Sequence, residues 1–183
     1  FFTAYQYTDS RNTPERAPST RTFESNYYLG KLSWRFNPSW QLVTKYSSDP
    51  ADITNDNAGS DVLPAANSFQ EQGGDIFQAD LAASFGANLL WNTRIGVTRQ
   101  ELNAFPQGGR LDLAGHTDNN GVLPDSLNYT NAQFSKRDRD EVGSDLTWFV
   151  SALGDHQFKF GAGLAALAFS SENFTVSGYR YED

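Results

Sequence analysis

The feature that most constrains this chain is a hydrophobic period of two, sustained over runs much longer than an ordinary strand. The period of 3.6 that marks an amphipathic helix is hard to find anywhere. Alternation is read over residues 1–8, 24–36, 40–48, 74–85, 89–102, 134–151 and 156–171. That makes about seven strands, whereas strands of globular proteins usually run to about five or six residues. The connections alternate too. Three are tight: Asn37-Pro38-Ser39, Gly86-Ala87-Asn88, and the bend from Ala152 to Asp155 that contains Gly154. These are the residue types that hairpin turns need. Between them lie long polar segments at 9–22, 49–73 and 103–133. Loops longer than about fifteen residues are uncommon in compact water-soluble domains. Long strands joined by turns that are short, then long, then short again are the pattern of a transmembrane β-barrel.

Reading off alternate residues separates two surfaces. Tyr28, Leu32, Trp34 and Phe36 share one, and Lys31, Ser33 and Arg35 the other. The same division recurs in each later run, with Val43 as an exception on the polar side. On the apolar set, Trp34, Phe36, Trp40, Phe85, Trp91, Trp148 and Phe158 gather beside the short turns. A lipid-facing girdle of amphipathic rings at one membrane interface accounts for that placement. On the other set stand Lys31, Arg35, Lys45, Asp80, Arg94, Asp145 and Lys159, expected to face the lumen of a barrel. A lipid-facing Lys or Arg at mid-bilayer would cost about 2–4 kcal/mol, and this register keeps all of them away from lipid. The turns at Asn37-Pro38, Gly86 to Asn88 and Gly154-Asp155 are then expected on the periplasmic side.

Composition supports the division and excludes other classes. Aromatic residues make up 14% of the chain but apolar residues only 38%, too few Leu, Ile and Val to fill the core of a soluble domain this size. No run approaches the roughly 18 apolar residues of a transmembrane helix. The net charge of −8 argues against a nucleic-acid partner, whose phosphates need a basic surface. With no cysteine there are neither disulfides nor thiolate metal sites. The chain opens in mid-pattern on FFTAYQYTDS, without a signal peptide, and closes on GYRYED, so a block of one larger barrel domain is expected over 1–183.

Three stretches carry a resemblance. FFTAYQYTDSR, then YYLGKLSWRFNPSWQLVTKYSSDP, then GDHQFKFGAGLAALAFSSENF resemble, in that order, successive parts of TonB-dependent outer-membrane receptors, of the Oar-like branch. The matching residues are Phe2, Tyr5 and Tyr7; Gly30, Lys31, Leu32, Trp34, Asn37, Pro38, Leu42, Tyr46, Asp49 and Pro50; and Gly154, His156, Lys159 and Gly161. The resemblance implies an all-β antiparallel transmembrane barrel in the outer membrane of a Gram-negative cell. It also implies a plug domain and a TonB partner, neither visible in this chain, and energised movement of a large ligand whose identity the residues do not give. A passive porin or structural barrel is the alternative, and a soluble β-sandwich binding module a second one.

Nothing points to an enzyme. The two histidines, His116 in AGHTDNNG and His156 at a bend, have no obvious catalytic partners in the sequence, and no nucleophile elbow, zinc helix or phosphate loop occurs. No cofactor is expected. Asp49, Asp52, Asp56, Asp61, Asp118 and Asp125 make the loops oxygen-rich enough to hold Ca²⁺, but their spacing is not that of an EF-hand and solvated loops are the expectation. The alternating charges of KRDRDE, 136–141, are expected where a long strand rises out of the bilayer.

Overall fold

A computed structural model describes residues 1–182. The described strands are β1 (Phe2–Asn12), β2 (Arg21–Asn37), β3 (Trp40–Ser48), β4 (Ala51–Thr54), β5 (Ser68–Phe85), β6 (Leu89–Pro106), β7 (His116–Thr117), β8 (Asn131–Ser151), β9 (Asp155–Thr175) and β10 (Tyr181–Glu182). Two 3₁₀ turns lie at Pro64–Ala66 and Val176–Gly178. Among the described residues, eight strands form one sheet in the order β1-β2-β3-β5-β6-β8-β9, with β4 paired to both β2 and β5. Every neighbouring pair in it is antiparallel. β7 and β10 form a separate parallel pair.

The all-β antiparallel reading holds, and so does each expected long strand. Their ends reach further than alternation indicates. β1 runs to Asn12 rather than residue 8, β5 starts at Ser68 rather than 74, and β6 ends at Pro106 rather than 102. β8 and β9 span 21 residues each. Beyond the alternating cores the regular hydrophobic period stops but pairing continues: polar groups appear on both faces, and Phe69, Phe105 and Phe174 join Phe134 in a row of rings across β5, β6, β8 and β9.

The segment 49–73 is not one long loop. The chain leaves β3 at Asp49-Pro50 and rejoins the sheet immediately as β4, so that β3 and β4 act as one strand interrupted by a bulge. Proline has no N–H to donate to a ladder, which makes a bulge the natural place for it. The Asp49 backbone N–H donates to the Gly74 carbonyl at 3.1 Å, and the Asn26 N–H to the Pro50 carbonyl at 2.9 Å. The Gly74 N–H donates to Asp49 Oδ1 at 2.8 Å. Opposite the bulge Gly73 has φ +138°, and a Cβ there would stand 2.6 Å from the Asp49 carbonyl oxygen. Only glycine fits.

Two of the three tight turns are also tighter than expected, while Gly86-Ala87-Asn88 joins β5 to β6 as expected. Asn37 is the last residue of β2 and Asp155 the first of β9, so both belong to strands. Asn37 Oδ1 accepts the Ser39 N–H at 2.9 Å and closes the first turn. Gly86 takes φ +65° in the second, and Leu153 and Gly154 take φ +58° and +120° in the third.

Most of the buried apolar residues sit at the loop end, Ala83 beside a tight turn being an exception. The buried apolar residues include Ala51, Ile53, Val62, Ala66, Ala114, Ala132 and Val176. They lie in or beside the long connections, which are knitted together by Asn67 Nδ2 donating to Ser19 Oγ at 3.1 Å and by Arg21 donating twice to Asp56 Oδ1. Toward the tight turns the sheet is a single layer.

Candidate functional surfaces

In an antiparallel sheet residues directly opposite one another share a face, so the register assigns every side chain to a side. The row Trp34–Leu42–Leu81–Thr93–Ser144–Ala162 defines the apolar face. All seven girdle residues, Trp34, Phe36, Trp40, Phe85, Trp91, Trp148 and Phe158, fall on it, in the rows next to the turns. Their rings touch across strands: Trp40 packs edge-on against Phe85 at 5.8 Å and Trp91 at 5.9 Å, and Trp148 lies 6.1 Å from Phe158. The Trp91 indole donates to Ser144 Oγ at 2.8 Å. Above these rings the face is aliphatic and open. Leu32 is 49% exposed, Ile95 47% and Val142 46%.

A second aromatic band, which the sequence reading missed, closes the aliphatic stretch at its far end. Tyr5 lies opposite Tyr28, with ring centroids 5.1 Å apart, and Tyr46 lies opposite Phe77. The Tyr46 hydroxyl donates to Asp75 Oδ1 at 2.5 Å. Tyr28 and Trp34 stand six positions apart on β2, about 20 Å at the rise of an extended strand. The signal was available: tyrosines recur six residues from the tryptophans, in the same period-two set. Beyond the tyrosines the same face turns ionic. Arg99 meets Asp140 at 2.7 Å and Asp138 at 3.9 Å, and Lys136 meets Glu101 at 3.1 Å. KRDRDE lies here, within β8.

The other seven residues, Lys31, Arg35, Lys45, Asp80, Arg94, Asp145 and Lys159, all fall on the opposite, polar face. Val43 joins them, directly opposite Asp80. The fold brings one pair among them into ionic contact, Lys159 Nζ with Asp145 Oδ1 at 3.2 Å. Asp80 stands opposite Arg94 in register, and Lys31 stands opposite Lys45. Like charges directly opposite are unfavourable, so that row is compatible only with water or a counter-charge in front of it.

The acidic loop residues are engaged separately. Asp56 binds Arg21, and Asp49 holds the bulge. Asp118 accepts the N–H groups of Asn120, Val122 and Leu123 at 2.8, 2.8 and 2.6 Å. These bonds hold its carboxyl below the usual range, that from Leu123 contributing most. A fork of hydrogen bonds from Arg110 holds Asp112 down at about 2. Burial, and then the neighbouring Asp61, push Asp125 upward. Among the described residues no group of three or more acidic or histidine side chains is arranged to hold a metal ion. His116 packs in β7, its Nδ1 3.4 Å from Ser126 Oγ, and His156 stacks on Phe158 with centroids 6.4 Å apart.

No helix among the described residues is long and apolar enough to cross a membrane, a statement that leaves strands aside. Comparison with protein-family models and with curated proteins gives no match for this chain.

Proposed function

We propose that this chain forms part of the wall of an outer-membrane β-barrel of the TonB-dependent receptor type, similar to the Oar-like branch. Its function is energised passage of a large ligand through a plugged lumen. One observation carries the barrel reading: an antiparallel sheet of long strands bears an open aliphatic face, banded by tryptophan and phenylalanine at one end and tyrosine at the other, with no second layer among the described residues. In water such a face would have to be covered. In a bilayer it is the expected outer surface, an apolar band flanked by aromatic girdles. The polar face, with its seven charged residues, then lines the lumen, where a plug would meet it. The tight turns lie on the periplasmic side and the long connections outside the cell.

The edges β1 and β9 make a further demand. Open strand edges are not tolerated in lipid, because each unpaired backbone group there costs several kcal/mol. Closure therefore needs more strands than these. TonB dependence and the plug rest on the sequence resemblance alone.

The test is fractionation of cells producing the intact protein, followed by electrophoresis with and without heating. Recovery in the outer membrane and heat-modifiable migration are expected. A monomer of this chain that is soluble without detergent and unfolds cooperatively would overturn the barrel reading. Ligand uptake that persists when the proton gradient is collapsed would leave a barrel but favour the passive porin.

A further inference from the structure

The chemistry of the polar face changes at the Asp49-Pro50 bulge. On the turn side of it stand Lys31, Lys45, Arg94 and the Asp145–Lys159 pair. On the loop side, β5, β6 and β8 present amides and hydroxyls instead. Gln72, Leu102 and Ser135 share one row, and Gln100 and Arg137 the adjacent one. Together with Gln133 these side chains line a cavity of about 270 Å³. The two carboxylates at its margin are already engaged, Asp49 by the Gly74 N–H and Glu101 by Lys136. Gln133 Nε2 donates to Ser135 Oγ at 3.1 Å, which fixes that amide, while the Gln100 amide makes no hydrogen bond to another described residue. Beside the cavity Phe169 is 65% exposed on this same face, with the Arg137 guanidinium 5.6 Å from its ring centroid.

These groups select among ligand classes. An anion would call for several converging cations, and the one cation lining the cavity lies over an aromatic ring. An apolar ligand would bury the amides unpaired, which is costly. A primary amide offers a donor and an acceptor side by side, the arrangement that adjacent hydroxyls require, and an exposed ring offers a flat apolar platform. We infer that the amide-lined part of the polar face is a binding subsite for a neutral oligosaccharide entering from the loop end. The inference rests on the barrel reading, which makes this face the lumen wall.

The test uses the intact protein, purified in detergent from outer membranes, on an array of neutral and acidic glycans, with calorimetry on the strongest neutral hit. Gln100→Glu keeps the size of the side chain and removes its donor, and Phe169→Ala removes the platform. Each is expected to weaken binding by about tenfold, the loss of one good contact, while heat-modifiable migration stays unchanged. Binding of no glycan, binding of acidic glycans only, or unchanged affinity in both variants overturns the assignment of the subsite. Those outcomes leave the barrel reading standing. That reading fails by a different result, loss of outer-membrane recovery in the unmodified protein.

Discussion

Ile95 and Val176 are both β-branched aliphatic residues, yet Ile95 is 47% exposed and Val176 is fully buried. Around Ile95, in the turn-proximal half, strands lie in a single layer and their apolar side chains point away from the protein. At the loop end Val176, Ala114, Ala132, Val62 and Ala66 are all buried, and the enclosed Ser68 donates both its N–H and its hydroxyl to Asn57 Oδ1. The loop end is built as proteins are built in water, with apolar groups inside and most buried polar groups paired, Asn67 Oδ1 being an exception. The turn-proximal half inverts that rule on one face while keeping its backbone fully laddered. On the proposed barrel reading the two halves meet two solvents, and the boundary between them runs through the tyrosine band and the bulge.

The strongest way to break the comparison is to place a charge on each half. Ile95→Arg in the intact protein is expected to cost about 2–4 kcal/mol if the apolar face meets lipid at mid-depth. Urea-dependent refolding into lipid vesicles measures it. Leu123→Arg, on an exposed loop residue, is expected to stay within about 0.5 kcal/mol. Equal tolerance of the two substitutions would mean that Ile95 faces water, and the two-solvent picture would be wrong.

The boundary offers the next largest effect. Gly73→Ala adds a Cβ that would press on the Asp49 and Pro50 backbone at 2.6 and 2.7 Å, in a conformation that L residues rarely adopt. Strain of this kind costs about 1–3 kcal/mol. The bulge should open locally, and cleavage by an added protease near Pro50 should rise while strand pairing at the tight turns persists. A smaller effect is expected inside the loop core. Val176→Ala removes buried methyl groups worth about 1–2 kcal/mol. It should loosen the connections to external protease without changing heat-modifiable migration. Impaired membrane assembly in this variant would show that the two halves do not fold as separable units.

How much of this was legible in the sequence follows the same boundary. In the turn-proximal half, environment alternates residue by residue, so the two faces could be separated from letters alone. The seven aromatic positions share one face of the sheet and the seven charged positions the other, as the alternation divides them. In the loop-proximal half polar residues stand on both faces of a strand, and apolar ones such as Phe69 and Phe105 recur too sparsely to set a period. Asp9 and Arg11 extend β1, and Ser68 to Gly73 open β5, with no apolar period to mark them. β4 was hidden for another reason: Asp49-Pro50 reads as a stop, and only the register shows that pairing resumes after it. The tyrosine band lay in view but was overlooked, because tyrosine occurs in strands of every kind. The amide-lined cavity had no local signature, since Gln72, Gln100 and Gln133 are distant in sequence and meet only through register.

The smallest effect concerns the loop end alone and depends on pH. Asp118 ties down its loop through three backbone N–H groups, and its pKa lies below the ordinary value of 3.8. A depressed carboxyl contributes stability that is present above its unfolded pKa and lost as pH falls through the folded one. The loop should therefore loosen from just below pH 3.8 downward. Asp125 acts in the opposite sense: its pKa is raised, so its contribution is present below 3.8 and is lost as pH rises through the higher folded value. Hydrogen-exchange protection at Asn120, Val122 and Leu123, corrected for the intrinsic pH dependence of exchange, is expected to fall below pH 3.8. In Asp118→Asn, which cannot titrate, protection at these amides should be reduced already at neutral pH and should not fall further on acidification. Amides of the turn-proximal half, Trp91 and Ile95 among them, should keep their protection across the same range. A parallel loss there would mean that the two ends of the sheet respond to acid as one unit.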